Sequence, residues 1–188
     1  MSKKMYTMKA KIILVSFFLS LTFLSCKKES KSDNSVAVTE VKANTFDVTI
    51  DAVIKNDDEL ILFYKDESIN YFDEKNTVYI GVKGNNLAQK VTFNIPEGVM
   101  PNDIRLDISS KINQEPIKIN SVTLSFEGKQ SIISQVDFLK FFKPNEYIQY
   151  NDASATATFS EKDGNYDPFF NTKPPIYLEL ERLLGKPL

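Results

Sequence analysis

Arg105 and Asp107 stand two residues apart in the run Ile104-Arg-Leu-Asp-Ile108. Residues i and i+2 of a β-strand project from one face, so this guanidinium and carboxylate are presented together. A forked donor beside a carboxylate can hydrogen-bond the hydroxyls of a sugar. The same spacing also makes a plain ion pair on a sheet face, which contributes about 0–1 kcal/mol when exposed. Tyr64, Asp66 and Tyr71 are a second candidate set, flanking the acidic, turn-prone stretch 65–70. Their rings would stack on a sugar while the acid hydrogen-bonds it; the alternative is core aromatics beside an ordinary hairpin loop. Asp163, Asn165 and Asp167 alternate oxygen ligands around Gly164. That spacing suggests a structural calcium site of a kind other than an EF-hand, because the glycine and glutamate an EF-hand needs are replaced by Pro168 and Pro174. A tight turn explains the same residues, so no metal ligand set is assigned.

The chain has one cysteine, Cys26, and it closes a distinctive N-terminal segment. Lys3, Lys4, Lys9 and Lys11 precede the apolar run 12–24, which ends Phe23-Leu24-Ser25-Cys26. Thirteen apolar residues are too few to span a bilayer as a helix, which takes about 20, but they suit a secretory leader. The segment resembles the lipobox signal of bacterial lipoproteins, with Phe23 where leucine is usual. The resemblance implies diacylation of the Cys26 thiol, removal of residues 1–25 and acylation of the new amine. Two or three acyl chains anchor a protein stably, where one binds only marginally. Residues 26–44 are polar, small and mixed in charge, and read as a flexible tether. Lys27 in place of aspartate points to the outer membrane of a Gram-negative bacterium, while Lys27-Lys28-Glu29 leaves open which face of it.

Composition narrows the chemistry further. Without its leader the chain keeps 19 basic against 25 acidic residues, four lysines having left with residues 1–25. A net charge of −6 argues against nucleic acid as a partner. Histidine and tryptophan are absent. With Cys26 acylated, no Ser-His, Cys-His or Cys/His zinc constellation can form. Composition leaves a glycosidase carboxylate pair open, but no two acids fall in a recognisable motif and no Ser-x-x-Lys opens a helix. The protein is expected to be non-catalytic and to need no cofactor.

Residues 45–188 are long enough for one cored domain. Phe46/Val48/Ile50, Val78/Ile80/Val82, Val91/Phe93/Ile95 and Ile104/Leu106/Ile108 alternate with polar residues at period two. Glu59 to Tyr64 is apolar on both faces, as a central strand would be. Ile117/Ile119 and Val122/Leu124/Phe126 hold opposite phases, predicting a bulge at Asn120-Ser121. Ala155/Ala157/Phe159 complete the pattern. Ser131–Phe142 has helical spacing, 176–184 reads as a terminal helix or an edge strand, and 166–171 reads as an aromatic loop. Short strands separated by turn signals predict an all-β fold, an antiparallel β-sandwich with one or two short helices.

The segments Ile104-Arg-Leu-Asp and Ile117–Phe126 together resemble a strand pair of jelly-roll sandwiches of the galactose-binding-like group. The resemblance covers residues 45–160 in pattern and implies a module attached to cell-surface glycan chemistry. The leading expectation is an envelope lipoprotein whose sandwich binds a glycan or a protein partner. The alternative is an accessory subunit of an outer-membrane assembly with no small-molecule site, docking through an apolar patch at Phe169 and Phe170 or at Phe138–Phe142.

Overall fold

A computed structural model describes residues 44–185. The leader, Cys26 and all of the tether before Asn44 lie outside the described residues. Eleven strands form two antiparallel sheets packed face to face. One sheet holds β1 (Phe46–Val53), β4 (Gln89–Ile95), β6 (Ile117–Phe126), β9 (Ile148–Asn151) and β10 (Thr156–Phe159) in the order β4-β1-β6-β10-β9. β7 (Lys129–Ser134) also pairs with β6. The other sheet runs β3 (Thr77–Val82), β2 (Asp58–Lys65), β5 (Asp103–Asp107), β11 (Phe169–Thr172) and β8 (Phe142–Pro144). The two segments that carry the jelly-roll resemblance, β5 and β6, lie in opposite sheets rather than side by side.

Period two sets the core. Phe46, Val48, Ile50, Phe93, Ile95, Val122 and Leu124 are buried from the first sheet. Leu60, Leu62, Ile104, Leu106 and Phe170 are buried from the second. The predicted bulge is present: Asp51 pairs with Ser121 and Ala52 with Ile119. Asn120 is therefore the extra residue, and its amide donates to Asp51 Oδ1 at 2.8 Å.

Two expectations are corrected. Ser131–Phe142 is not one helix. Glu127 and Gly128 both take positive φ, 48° and 78°, as a two-residue hairpin turn requires. They fold β7 back onto β6, burying Ile133 and leaving Ile132 and Val136 exposed. Only Phe138–Phe141 is helical, a single turn α1. The 166–171 loop likewise gives way to β11, which fills the gap between β5 and β8. Residues 176–184 resolve as helix α2 (Pro175–Leu184), with proline in its first turn and Gly185 at φ 69° closing it. Its buried residues are Ile176, Leu180 and Leu183, and it touches β5 in one sheet and β6 and β7 in the other.

Buried aromatic rings join the sheets near α1. Phe138 lies 4.8 Å from Phe142, 5.1 Å from Tyr150 and 5.0 Å from Phe170, ring centre to ring centre. The proposed patch at Phe138–Phe142 is thus largely core, Phe138 and Phe142 being fully buried. Within this cluster the Tyr150 hydroxyl is buried without a hydrogen-bond partner. Burial, with a smaller effect from Asp152, pushes that phenol up to about 12. A buried polar atom left unpaired costs about 1–3 kcal/mol. Tyr150→Phe keeps the ring and should raise stability by about 1 kcal/mol, whereas Phe170→Ala should lower it by about 3–5 kcal/mol. Urea unfolding followed by circular dichroism measures both; a Tyr150→Phe variant less stable than the parent would show that the hydroxyl is satisfied after all.

Candidate functional site

The outward face of the five-stranded sheet gathers residues from all five strands. Register sets Tyr79, Ile61, Asp107 and Phe169 in one cross-strand row. Thr77, Phe63, Arg105, Asn171 and Lys143 form the next. The inward residues of the same strands, Leu60, Leu62, Tyr64, Ile104, Leu106 and Phe170, are core.

Arg105 is the centre of this face. Its Nε and Nη2 donate to the two oxygens of Asp107 at 2.8 and 2.6 Å, the bidentate geometry that fixes a guanidinium plane. Phe63 and Phe169 approach the guanidinium at 4.1 and 4.4 Å from its carbon to the ring centres. Each such cation–π contact contributes about 0.5–2 kcal/mol. Phe72 meets Phe63 edge-on at 6.4 Å and carries Lys65 Nζ at 4.2 Å. Lys65 in turn pairs with Asp103 at 2.8 Å, and Asp103 also accepts from the Thr172 hydroxyl. Cations and rings thus run across the face as a ladder, with each cation on its own carboxylate.

The third guanidinium nitrogen, Nη1, makes no hydrogen bond among the described residues. The Arg105 side chain is 19% exposed. Asp107 is 7% exposed. Burial pushes its carboxyl up to about 6; the Arg105 bond and charge oppose that rise and the nearby Asp167 charge adds to it.

The sequence candidates separate. Arg105 and Asp107 come together on this face. Tyr71 is 59% exposed, next to Phe72. Tyr64 is corrected: it keeps parity with Leu60 and Leu62, so it points into the core and is 4% exposed. Asp66 holds a turn, accepting from Ser68 N at 2.8 Å, Ser68 Oγ at 2.6 Å and Ile69 N at 3.1 Å. Those bonds, the Ser68 hydroxyl's first, hold its carboxyl below the usual range. Phe169 takes part through its contact with Arg105, while Phe170 is fully buried and cannot serve as a surface patch.

Asp163 and Gly164 are the two positive-φ residues of a tight turn, 52° and 76°, closed by reciprocal Lys162–Asn165 backbone bonds of 2.9 Å. Among the described residues no three acids converge as a metal would require. Phe63 and Tyr79 are missing from the sequence candidates. The signal for Phe63 was the apolar outer face of Glu59–Tyr64, a strand whose inner face already served the core, and Tyr79 is an outward residue of β3.

Cavities open elsewhere, at the end of the sandwich where β1 begins. One of about 400 Å³ is lined by Asn44, Asp47, Phe126, Glu127 and Lys129 among others. A second, of about 310 Å³, is lined by Asp66–Ser68 and Gly98–Met100. Neither shares a residue with the Arg105 face. In the first of them Asn44 donates to Glu127 at 2.7 Å. Comparison with family models, curated proteins and solved structures finds no match for this chain.

The raised Asp107 carboxyl has a consequence for stability. Its value of about 6 exceeds the ordinary 3.8, so the folded state holds a proton that the unfolded state has released across that window. Stability contributed by this group is therefore full below about pH 4 and falls as pH rises toward 6, by up to about 1.4 kcal/mol per pH unit. Asp107→Asn removes this slope, because the neutral amide leaves no carboxyl to titrate at this position. Unfolding free energies measured from pH 4 to pH 7 should give a wild-type-minus-variant difference that declines through the window. Parallel profiles would assign the titration to another group.

Proposed function

We propose that this protein is a non-catalytic lipoprotein of the cell envelope, anchored in the outer membrane through acyl chains on Cys26, whose sandwich binds a glycan on the Arg105 face. One observation carries the binding reading: a guanidinium fixed on Asp107 and against two phenylalanine rings, its side chain still 19% exposed and its Nη1 without a hydrogen bond among the described residues. A forked donor held rigid loses little entropy on binding. On the same face, two strands away on β3, Tyr79 is 49% exposed and offers a ring for stacking against the apolar side of a sugar. Arg105 and Lys65 are each neutralised by a carboxylate within the face, which favours a neutral, hydroxyl-rich ligand over a strongly charged one. Both Asp107 oxygens are taken by Arg105, which leaves that acid poorly placed to act as a nucleophile or general base.

A protein-docking role finds its support in different residues. Ile132 and Val136 are 61% and 72% exposed, and an apolar pair of this kind suits an accessory subunit. Isothermal titration of the detergent-solubilised full chain against neutral cell-wall and capsular polysaccharides separates the two. Binding weakened about 5–10-fold by Tyr79→Ala and unchanged by Ile132→Asp is the expected result. Absence of binding to every polysaccharide, together with a co-purifying protein lost in Ile132→Asp, would replace the glycan reading with the docking one.

A further inference from the structure

The cross-strand row that holds Arg105 continues past the guanidinium to the edge of the sheet. Register sets Asn171 on β11 opposite Arg105, and Lys143 on β8 opposite Asn171. Facing residues on antiparallel neighbours stand about 4.5–5.5 Å apart between Cα atoms, so three side chains follow one another in even steps. Each of them can donate: a guanidinium, an amide and an ammonium. Arg105 spends Nε and Nη2 on Asp107. Asn171 and Lys143 are exposed, and neither side chain makes a hydrogen bond or ion pair among the described residues. Charge is therefore distributed unevenly along the face. Lys65 is matched by Asp103 and Arg105 by Asp107, whereas Lys143 keeps a positive charge that no described carboxylate neutralises.

We propose that the β8 end of this face is a subsite for a single negative charge on the bound glycan, with Lys143 pairing with the anion and Asn171 donating beside it. The proposal rests on the glycan reading and sharpens its ligand class. The ligand is a hydroxyl-rich chain bearing an isolated acidic group, the carboxylate of a uronic acid or a phosphodiester. A chain charged at every sugar would gain little more, because Arg105 and Lys65 already hold carboxylates of their own. Lysine suits a lone anion, being a compact charge on a flexible stem that needs no fixed approach. The locked Arg105 fork serves the neighbouring sugar's hydroxyls instead. Tyr79 on β3 and Lys143 on β8 are the two ends of the face, four strand spacings apart. At about 4.7–4.9 Å per spacing this is about 19 Å. A ligand that meets both residues is an extended chain lying across the strands, and a single sugar cannot bridge them.

The test is isothermal titration of the detergent-solubilised full chain against a panel of polysaccharides. The panel holds neutral polymers, uronate-bearing polymers with their carboxyl-reduced counterparts, and phosphodiester-linked polymers. An acidic polymer should bind about 5–10-fold more tightly than an uncharged one of the same backbone, and added salt should shrink that gain. Lys143→Gln should abolish the gain and Lys143→Arg should keep it. Lys90→Gln, which removes an exposed lysine from the other sheet, should leave it unchanged. Loss of the gain on carboxyl reduction assigns the charge to a uronate; a gain seen with the phosphodiester polymers alone assigns it to phosphate. Equal affinity for charged and uncharged polymers, or a gain indifferent to Lys143→Gln, would overturn the subsite and leave the glycan reading standing. Absence of binding to every polymer, neutral or acidic, would overturn both.

Discussion

The two sheets are held by one apolar layer to which both contribute, and nearly every other feature follows from the parity this imposes. A strand residue points either into that layer or away from it. On β1 the layer takes Phe46, Val48, Ile50 and Ala52; on β2 it takes Leu60, Leu62 and Tyr64. Asn120 shows how strict the rule is. The inward phase changes between Ile119 and Val122, and β6 absorbs the change by setting one residue outside the register instead of breaking the strand. α2 covers the same layer where it would otherwise open, with Ile176, Leu180 and Leu183 facing inward.

Parity on the second sheet leaves an outward face with its own energetics. A largely buried Arg–Asp pair must offset the loss of hydration on both ions, and attraction alone often fails to do so. Here a bidentate geometry and two rings against the guanidinium share that task. The rise of the Asp107 carboxyl shows that burial still weighs against its charge. Phe72 reaches this face from the loop after β2, and the turn held by Asp66 shapes that loop. An acid that touches nothing on the face thus helps to shape the segment that covers it.

A second polar centre organises the opposite end. Asp58, 4% exposed at the start of β2, accepts from the Ser109 and Ser110 hydroxyls, the Ser110 amide and the Gln114 side chain. Ser109 also meets the Tyr166 hydroxyl at 2.8 Å. One buried carboxylate so fastens the β5–β6 connection and the β10–β11 connection to a single strand. A buried acid is tolerated when its oxygens are fully hydrogen-bonded, and this one is. The loops at that end are therefore fixed by the fold.

Strand positions, the bulge at Asn120 and the sandwich itself are readable from the sequence, because period-two burial is written in the order of apolar residues. Arg105 and Asp107 are readable as a pair for the same reason, being two residues apart on one strand. Tyr64 shows where the reading stops: parity already placed it inside, but a tyrosine beside an acidic loop looks like a site until its neighbours are known. β11 escapes notice because four residues after a proline carry too little pattern, and only the gap between β5 and β8 makes them a strand. Ser131–Phe142 misleads because Ile132, Val136, Leu139 and Phe142 fit a helical spacing that pairing with β6 overrides. What sequence alone determined is which side of each strand is apolar. The tertiary structure decided which strands lie side by side, and so which rings meet Arg105, because Phe63 on β2 and Phe169 on β11 are far from it in sequence and only sheet formation makes those strands its neighbours.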